Sequence, residues 1–503
     1  MSTPATSEKQ RSWTWLFAGA ALLPFTQFQT ILPPAAWLAA VFLLRFSRTQ
    51  RARVALPVLA LVHYGAAVIS MRGGLVSNPL VYALGGVFGI ASFAADRALG
   101  SRLTGWARTL VFPTTAVGFD WLFGLSSLGT AGSIAYTQWG TLPLIQLVSV
   151  TGIWGLVFLV TWLAPAVNEA WERGFTWPTV RYSLLPISTV LAAAVLLGSV
   201  RLAVWSPTAP TVRVAALADN RALSDGLSAR GGAELAAGTD EVRDVARAQY
   251  APIVDDLFER TRREAEAGAK IVSWSEVAAF TLKEDEPALI KRAQAVAREH
   301  RIYLQISIKS TLRTARFPFA ENRAILIDPA GKVIQDYSKA IHPLGDAAIF
   351  ARGPGVIPIV DTPYGRLATV ICFDVDFPAL VRQAGQGRAD ILLAPSKDWQ
   401  PIDKVHARVA TFRAVENGVA LVRATGDGIS VAVDHLGQPL ATADYFATDN
   451  LAMVANVPIR GVPTIYARIG DSFVYLCVAG LVALAGAALL RRRAALRLAR
   501  QPA

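Results

Sequence analysis

Residues 369–378 read TVICFDVDFP and hold Cys372, one of only two cysteines in the 503-residue chain. An apolar run ends at this cysteine, and acidic residues and a proline follow at once. The other cysteine, Cys477, lies inside a continuous apolar segment near the C-terminus, where a small buried hydrophobe is the ordinary interpretation. If the protein carries out thiol chemistry, we therefore expect Cys372 to be the nucleophile.

The composition indicates a membrane protein. Hydrophobic residues make up 53% of the chain and the mean hydropathy is +0.38, whereas charged residues make up 17%, below the quarter that is usual in soluble proteins. The net charge of +12 does not predict nucleic-acid binding, because the arginines cluster at the ends of apolar segments. Two lone cysteines provide neither a disulfide framework nor paired metal ligands, and we expect no metal and no cofactor.

Apolar segments predict a polytopic α-helical membrane bundle of about eight transmembrane helices. The segments are apolar all round, which favours spanning helices over the amphipathic helices of a soluble domain. About 20 apolar residues cross a bilayer core, so the first, second and fifth segments are marginal in length. The segments run approximately over residues 13–28, 31–44, 55–71, 79–95, 109–123, 142–163, 182–200 and 473–490.

The arginines predict the orientation of this bundle. They cluster after the second, fourth, sixth and eighth segments, whereas the opposite loops hold little beyond Arg72. By the positive-inside rule both termini are then cytoplasmic, and the long insert before the last segment is extracytoplasmic. We expect a seven-helix bundle at 1–204, an insert domain at 205–466, and a C-terminal helix with a basic cytoplasmic tail at 467–503.

The insert opens with a Pro-rich linker at 206–210 and then alternates strand-like and helix-like stretches. This alternation predicts an α/β layered domain. Among its helices, one should span about 287–300 and another should end at Asn417-Gly418. Strands are expected at about 211–217, 270–274, 302–308, 324–328, 333–337, 367–372, 391–394, 420–424 and 429–433.

Two charged residues at strand ends are candidate partners for Cys372. A catalytic thiol needs a base and donors that stabilise an oxyanion, and open α/β sheets place their sites at strand ends. Glu276 and Lys339 occupy such positions. Taken singly, each is more often a solvated turn residue, and Cys372 more often an inert core thiol. A base, a cation and a thiol at three strand ends of one domain favour an active site.

The order Glu, Lys, Cys at strand ends resembles the nitrilase (carbon-nitrogen hydrolase) superfamily. With seven apolar segments before the domain and one after it, nearly the whole chain resembles the apolipoprotein N-acyltransferases of bacterial envelopes. CFD at 372–374 and FPALVR at 377–382 are similar to the family's C-Y-E…F-P-x-L-V-R. Further similar motifs are ADILL at 389–393, DW at 398–399, RAVENG at 413–418 and RATGDGIS at 423–430.

The sequence also departs from the family pattern. WSE at 274–276 stands for W-P-E, and AALADN at 215–220 lacks V-Q-G-N. The loop KAIHPLGD at 339–346 is one residue shorter than K-x-x-L-V-P-F-G-E. These changes leave the three catalytic candidates intact and alter their surroundings, so we expect them to affect substrate range.

The resemblance implies a nitrilase-like αββα sandwich on the periplasmic side of the bacterial inner membrane. It implies Glu276 as general base, Lys339 as the cation that stabilises the oxyanion, and Cys372 as nucleophile. The implied reaction transfers an acyl chain from a membrane phospholipid, through a Cys thioester, to the α-amino group of the N-terminal diacylglyceryl-cysteine of apolipoproteins. We expect a monomer that binds no nucleic acid.

A second set of residues is expected to support these three. Asp346 and Asp374 would orient Lys339 or the base, with ordinary surface acids as the alternative. His406 lies one residue from the apolar stripe of its helix, which favours a positioning role or none. The supporting set is Asp346, Asp374, Phe373, Trp399 and His406.

Apolar loop residues are candidates for lids that dip into lipid. Removing an acyl chain from the bilayer costs about 0.8 kcal/mol per CH₂, so the site should lie near the outer leaflet. Ile349, Phe350 and Ile402 are the expected lipid contacts, with packing under the domain as the alternative. Two other functions stay open: a membrane-anchored amidase that passes its acyl group to water, and a catalytically idle membrane scaffold of the same fold.

Overall fold

The computed structural model describes residues 4–73, 79–208, 210–224, 227, 232–447 and 451–498. Ala209 of the expected linker and residues 499–503 of the expected basic tail lie outside this range. The chain divides into two compact units. One, the helical unit, comprises Met1–Ala203 with Ile469–Ala503, and the other, the α/β unit, comprises Val204–Arg468.

The helical unit follows the apolar segments of the sequence closely. Element numbers run along the chain, so its last helix is α17. Its helices are α1 (Pro4–Leu22), α2 (Pro33–Thr49), α3 (Ala52–Ser70), α4 (Pro79–Leu99), α5 (Trp106–Gly124), α6 (Leu142–Ile145), α7 (Val148–Thr151), α8 (Ile153–Arg173), α9 (Trp177–Val204) and α17 (Ser472–Leu498).

Several of these helices are able to span a membrane. Within the described residues, five are long and apolar enough, namely Ala52–Ser70, Pro79–Arg102, Ile153–Arg173, Trp177–Val204 and Ser472–Arg497. The other three long helices, α1, α2 and α5, correspond to the segments of marginal length.

The expectation of one continuous segment over residues 142–163 is wrong. Gly152 adopts φ +64 between α7 and α8, a left-handed conformation that glycine reaches without steric cost. Two short helices therefore precede α8.

Ion pairs join four helices of this unit at one end. Arg48 of α2 contacts Asp96 of α4 at 2.7 Å, and Arg108 at the start of α5 contacts Glu169 and Glu172 near the end of α8 at 2.9 and 2.7 Å. The arginine clusters after the second and fourth segments therefore meet at the same end of the bundle.

The α/β unit contains fifteen strands and seven helices within the described residues. The strands are β1 (Thr211–Leu217), β2 (Ile271–Trp274), β3 (Ala279–Leu282), β4 (Tyr303–Thr311), β5 (Ala320–Ile327), β6 (Val333–Ser338), β7 (Ile359–Thr362), β8 (Gly365–Thr369), β9 (Ile391–Leu393), β10 (Ser396–Lys397), β11 (Ala420–Arg423), β12 (Thr425–Gly426), β13 (Ile429–Val433), β14 (Pro439–Asp444) and β15 (Ala452–Pro458). The helices are α10 (Arg221–Ser224), α11 (Gly232–Ala236), α12 (Asp240–Glu266), α13 (Glu286–His300), α14 (Pro378–Gln386), α15 (Asp403–Asn417) and α16 (Ile465–Ile469).

Two mixed sheets pack face to face in this unit. The first has the order β15-β1-β2-β4-β5-β6 with β3 beside β4, and the second has the order β14-β13-β11-β9-β8-β7. Buried apolar residues of both sheets, such as Val214, Leu326, Leu367 and Val422, form one core between them. Helices α12 and α13 cover the outer face of the first sheet, and α15 contacts β11 and β13 of the second. The unit is thus a four-layered αββα sandwich, as expected for a nitrilase-like domain.

Candidate active site

Three buried side chains from separate strand ends meet in the α/β unit. Glu276 follows β2, Lys339 follows β6, and Cys372 opens the 3-10 turn Cys372–Asp376 after β8. The Lys339 Nζ donates to Glu276 Oε1 at 2.6 Å, and the Cys372 thiol beside this carboxylate donates to the backbone carbonyl of Lys397 at 3.6 Å. All three residues are at most 4% exposed. The structure therefore brings together the carboxylate, the ammonium and the thiol that were predicted from the sequence as catalytic candidates.

Two further residues hold the Glu276 carboxylate, and neither was predicted from the sequence. The side-chain amide of Asn322 donates to Oε1 at 2.7 Å, and the backbone N–H of Lys397 donates to Oε2 at 2.9 Å. Asn322 stands between two other polar residues, Glu321 and Arg323, and before the predicted strand at 324–328, so no signal in the sequence singles it out. These donors fix the orientation of the carboxylate beside the thiol.

The backbone at the site is strained. Cys372 has φ +47 and Val277, directly after Glu276, has φ +45. Residues other than glycine rarely adopt this region, and such conformations cost about 1–3 kcal/mol each. The expectation that a strand continues to residue 372 is wrong, because β8 ends at Thr369 and the thiol stands on the turn beyond it. The turn projects Cys372 towards the ends of β2 and β6.

Burial and charge set the protonation states of these residues. Burial favours a neutral acid at Glu276, but the Lys339 ammonium outweighs it and lowers the pKa of this carboxyl. Burial opposes a charge on Lys339 as well, yet Glu276 raises the pKa of the ammonium above its ordinary value. Burial and the Glu276 charge raise the pKa of the Cys372 thiol well above its ordinary range. The resting site is thus a carboxylate, an ammonium and a neutral thiol.

Asp374 acts on the backbone on both sides of the site. Its Oδ1 accepts from the backbone N–H of Ile341 at 2.9 Å, and its Oδ2 accepts from Ile371 N–H at 3.0 Å and from the Tyr337 hydroxyl at 2.8 Å. Burial raises the pKa of this carboxyl to about 6. Asp374 thereby ties the segment after Lys339 to the segment before Cys372, and its hydrogen bonds reach neither Lys339 nor Glu276.

Asp346, unlike Asp374, lies near the Lys339 ammonium that it was expected to orient. Its Oδ2 lies 3.9 Å from Lys339 Nζ, beyond hydrogen-bonding distance, and its side chain is 43% exposed. Burial raises the pKa of Asp346, and Lys339 opposes the rise. The contact is electrostatic and lies on the solvent side of the lysine.

His406 belongs to a second buried cluster beside Cys372. Its Nδ1 lies 2.9 Å from Asp398 Oδ1, and its Nε2 lies 3.6 Å from Asp376 Oδ2. Burial would lower the pKa of His406, but the two carboxylates raise it above its ordinary value. Arg423 donates to the same Asp398 oxygen at 2.8 Å. The motif residues Asp398 and Arg423 thus enclose His406 in a network of paired charges.

The ligand atoms of Cys372, Asp398 and His406 lie within 4.8 Å of one another, a spacing at which a metal ion could be held. The donor set does not favour this use. Asp398 Oδ1 already accepts from both His406 and Arg423, so the Arg423 guanidinium is the counterion of the carboxylate that would bind a metal ion. We interpret the cluster as a hydrogen-bonded support for the turn at Cys372.

Phe373 and Trp399 differ in how far they are enclosed. Phe373 is 1% exposed, and its ring lies 6.2 Å from the His406 imidazole and 5.3 Å from the Phe377 ring. Trp399 is partly exposed and follows Asp398 directly. Phe373 therefore packs within the support of the turn, whereas Trp399 reaches the surface of the unit.

The expected lipid contacts Phe350 and Ile402 are corrected by the structure. Their exposed fractions are 7% and 2%, and the Phe350 ring is stacked on the imidazole of His342 at 5.6 Å. Ile349 is partly buried. The strongly exposed apolar side chain of the same loop is Leu344, at 55%.

Comparisons with known proteins match both units. Residues 239–463 match the carbon-nitrogen hydrolase family, and residues 18–166 match the apolipoprotein N-acyltransferase N-terminal domain. An apolipoprotein N-acyltransferase of Geobacter metallireducens is 28% identical over 416 residues, which cover 76% of this chain and 74% of the relative. One of Bradyrhizobium diazoefficiens is 25% identical, with coverage of 82% and 78%. Among solved structures, an amidase from Nesterenkonia sp. is 21% identical with a TM-score of 0.40, and the match covers 54% of this chain and 98% of the amidase.

Proposed function

The chain belongs to the apolipoprotein N-acyltransferase family of the nitrilase superfamily, and on this premise we propose that it N-acylates the N-terminal diacylglyceryl-cysteine of apolipoproteins. The acyl donor is a membrane phospholipid, and Cys372 carries the acyl group as a thioester. The observation that carries the proposal is the buried pair of Glu276 and Lys339 beside Cys372, in a chain that also contains the N-acyltransferase N-terminal domain.

The first half-reaction acylates the enzyme. Cys372 Sγ attacks the ester carbonyl carbon of the phospholipid, and the thiol proton passes to Glu276. The Lys339 ammonium and a backbone N–H of the turn stabilise the oxyanion. When the C–O bond breaks, Glu276 returns the proton to the departing alkoxide, and a lysophospholipid leaves behind the acyl-thioester.

The second half-reaction transfers the acyl group. The α-amino nitrogen of the diacylglyceryl-cysteine attacks the thioester carbonyl, and Glu276 accepts a proton from the attacking amine. Collapse of the intermediate breaks the C–S bond, and the proton on Glu276 moves to the Cys372 sulfur. The products are an N-acylated lipoprotein and the resting thiol.

The pKa shifts of Cys372 and Glu276 before substrate binds indicate how the thiol is activated. A thiol with a raised pKa does not give its proton to a carboxylate with a lowered pKa before substrate binds. Proton transfer therefore accompanies carbon–sulfur bond formation, when the developing oxyanion draws on the Lys339 charge. The enzyme keeps its nucleophile unreactive until an ester carbonyl is in place.

We propose that eight helices cross the bacterial inner membrane. Helices α1, α2 and α5 join the five longer candidates, both termini are cytoplasmic, and the α/β unit is periplasmic. The ion pairs at one end of α2, α4, α5 and α8 support a common side for these arginine-rich ends. The proposed regions are 1–204, 205–466 and 467–503, and we propose a monomer without cofactor.

The molecule that accepts the acyl group distinguishes this function from that of a membrane-anchored amidase, which would pass the acyl group to water. Purified protein incubated with labelled phospholipid and a diacylglyceryl-cysteine peptide should yield labelled N-acyl peptide. Release of labelled fatty acid with no N-acyl peptide would contradict the transferase.

A further inference from the structure

Lys309 of β4 points between the two sheets, towards the catalytic residues. Side chains alternate along a strand, and Ile306 and Ile308 enter the apolar core beneath α12 and α13. Gln305, on the other face of β4, donates to Thr369 of the second sheet at 2.9 Å. Lys309 shares the face of Gln305 and therefore extends into the space between the sheets.

Strand pairing places Lys309 beside the catalytic carboxylate. Lys309 is directly opposite Asn322 in the antiparallel ladder of β4 and β5. Paired side chains on one face have Cβ atoms about 4.5–5.5 Å apart. Because the Asn322 amide donates to Glu276 at 2.7 Å, Lys309 borders the active centre.

Lys309 is a mostly buried residue whose ammonium has no counterion in the described part of the chain. Its residue is 8% exposed, and among the described residues no carboxylate oxygen lies within 4.0 Å of its Nζ. The rings of Phe280 and Phe350 flank it, with centroids 5.7 and 5.8 Å from Nζ. Aromatic faces stabilise an ammonium and leave its full charge in place. Burial lowers the pKa of Lys309, and the more distant Asp346 opposes the shift.

The two neighbouring lysines, unlike Lys309, each have a carboxylate counterion. Lys339 pairs with Glu276 at 2.6 Å, and Lys397 pairs with Asp219 at 2.8 Å and Asp427 at 3.4 Å. Burying an unpaired charge costs free energy that an apolar side chain at the same position would avoid. The cost is offset when the site binds an anion.

We propose that Lys309 binds the phosphate diester of the phospholipid acyl donor. This inference rests on the proposed function, which supplies a donor with an anionic phosphate close to its ester bond. The reacting end of the acceptor is an amine, whose protonated form the ammonium repels. Lysine is a regular phosphate ligand that acts as a point charge. Binding of the phosphate would give Lys309 its counterion and place the ester next to Cys372.

The test compares two donors that carry the same acyl chain. One is phosphatidylglycerol, and the other is the p-nitrophenyl ester, which has no phosphate. Formation of the Cys372 acyl-thioester is measured for the wild type, Lys309→Gln, Lys309→Arg and the control Lys332→Gln, which removes an exposed lysine from the turn between β5 and β6. If Lys309→Gln fails to fold, Lys309→Met replaces it.

We expect Lys309→Gln to lower kcat/KM for phosphatidylglycerol by roughly tenfold to a hundredfold more than for the p-nitrophenyl ester. Lys309→Arg should restore most of the difference, and Lys332→Gln should match the wild type. Equal losses with both donors, or no loss with phosphatidylglycerol, would overturn the inference. A wild type that is acylated by the p-nitrophenyl ester alone would overturn the phospholipid donor itself, and this inference with it.

Discussion

Two buried polar clusters meet at Cys372, and they differ in the partners of their charged groups. On one side, Glu276 and Lys339 pair at 2.6 Å beside the thiol. On the other side, Asp398 shares one oxygen between His406 and Arg423, at 2.9 and 2.8 Å. The first cluster contains the carboxylate and the ammonium that we propose as proton acceptor and oxyanion partner, whereas the second holds its carboxylate between an arginine and a histidine. Both clusters lie beside the thiol, so buried charge near Cys372 does not by itself identify a catalytic group, and our assignment of Glu276 rests on its pairing with the Lys339 ammonium.

The largest effect on the rate of acylation is expected from a substitution of Glu276, the proposed base. Glu276→Gln keeps the shape of the side chain and removes the proton acceptor, so we expect acyl-thioester formation to fall by about 10²–10⁴-fold. The rate is followed with labelled phospholipid by gel autoradiography. Full activity in this variant would show that Glu276 is not the base.

A substitution in the second cluster should mainly lower the free energy of unfolding. Asp398→Asn leaves the buried Arg423 without its counterion, and we expect a loss of about 3 kcal/mol in the free energy of unfolding. Acylation per folded molecule should fall by less than in Glu276→Gln. Thermal unfolding and the initial rate are measured on the same preparation, and a catalytic loss as large as that of Glu276→Gln would abolish the distinction.

A smaller effect is expected from Asp374, which ties the segment after Lys339 to the segment before Cys372. Its folded-state pKa of about 6 is above that of an unfolded aspartate, so the folded protein binds the proton more tightly and this group destabilises the fold as pH rises. Between about pH 5 and about pH 7 the group should cost about 1 kcal/mol. Asp374→Asn lacks this titration.

Melting temperatures of the wild type and Asp374→Asn at these two pH values measure that cost. The advantage of the wild type over the variant should be larger at the lower pH. A difference that does not change with pH would show that Asp374 is ionised at no cost in the folded protein.

The sequence predicted much of this arrangement because the main signals are local. Strand patterns followed by Glu276, Lys339 and Cys372 placed each residue at a strand end without knowledge of the tertiary fold. Hydropathy likewise located the long helices. Nearly every predicted strand corresponds to a strand of the structure, because the alternation of polar and apolar residues along a strand is a local signal.

What the sequence did not reveal depends on contacts between distant segments. Asn322 and Lys309 lie in mid-strand, and the pairing of β4 with β5 and the packing of the sheets decide that both face the site. Phe350 is apolar in a loop, a pattern shared by lipid-exposed and buried residues. The positive φ of Cys372 arises from the turn after β8, and no residue type near it signals such a conformation.

The central claim is that Cys372 carries the acyl group, and trapping that group is its most direct test. The purified protein is incubated with labelled phospholipid without an acceptor, denatured, and examined for label that hydroxylamine releases. We expect label on the wild type and none on Cys372→Ala. A wild type that stays unlabelled would favour a catalytically idle scaffold, and label that persists in Cys372→Ala would contradict the assignment of the nucleophile.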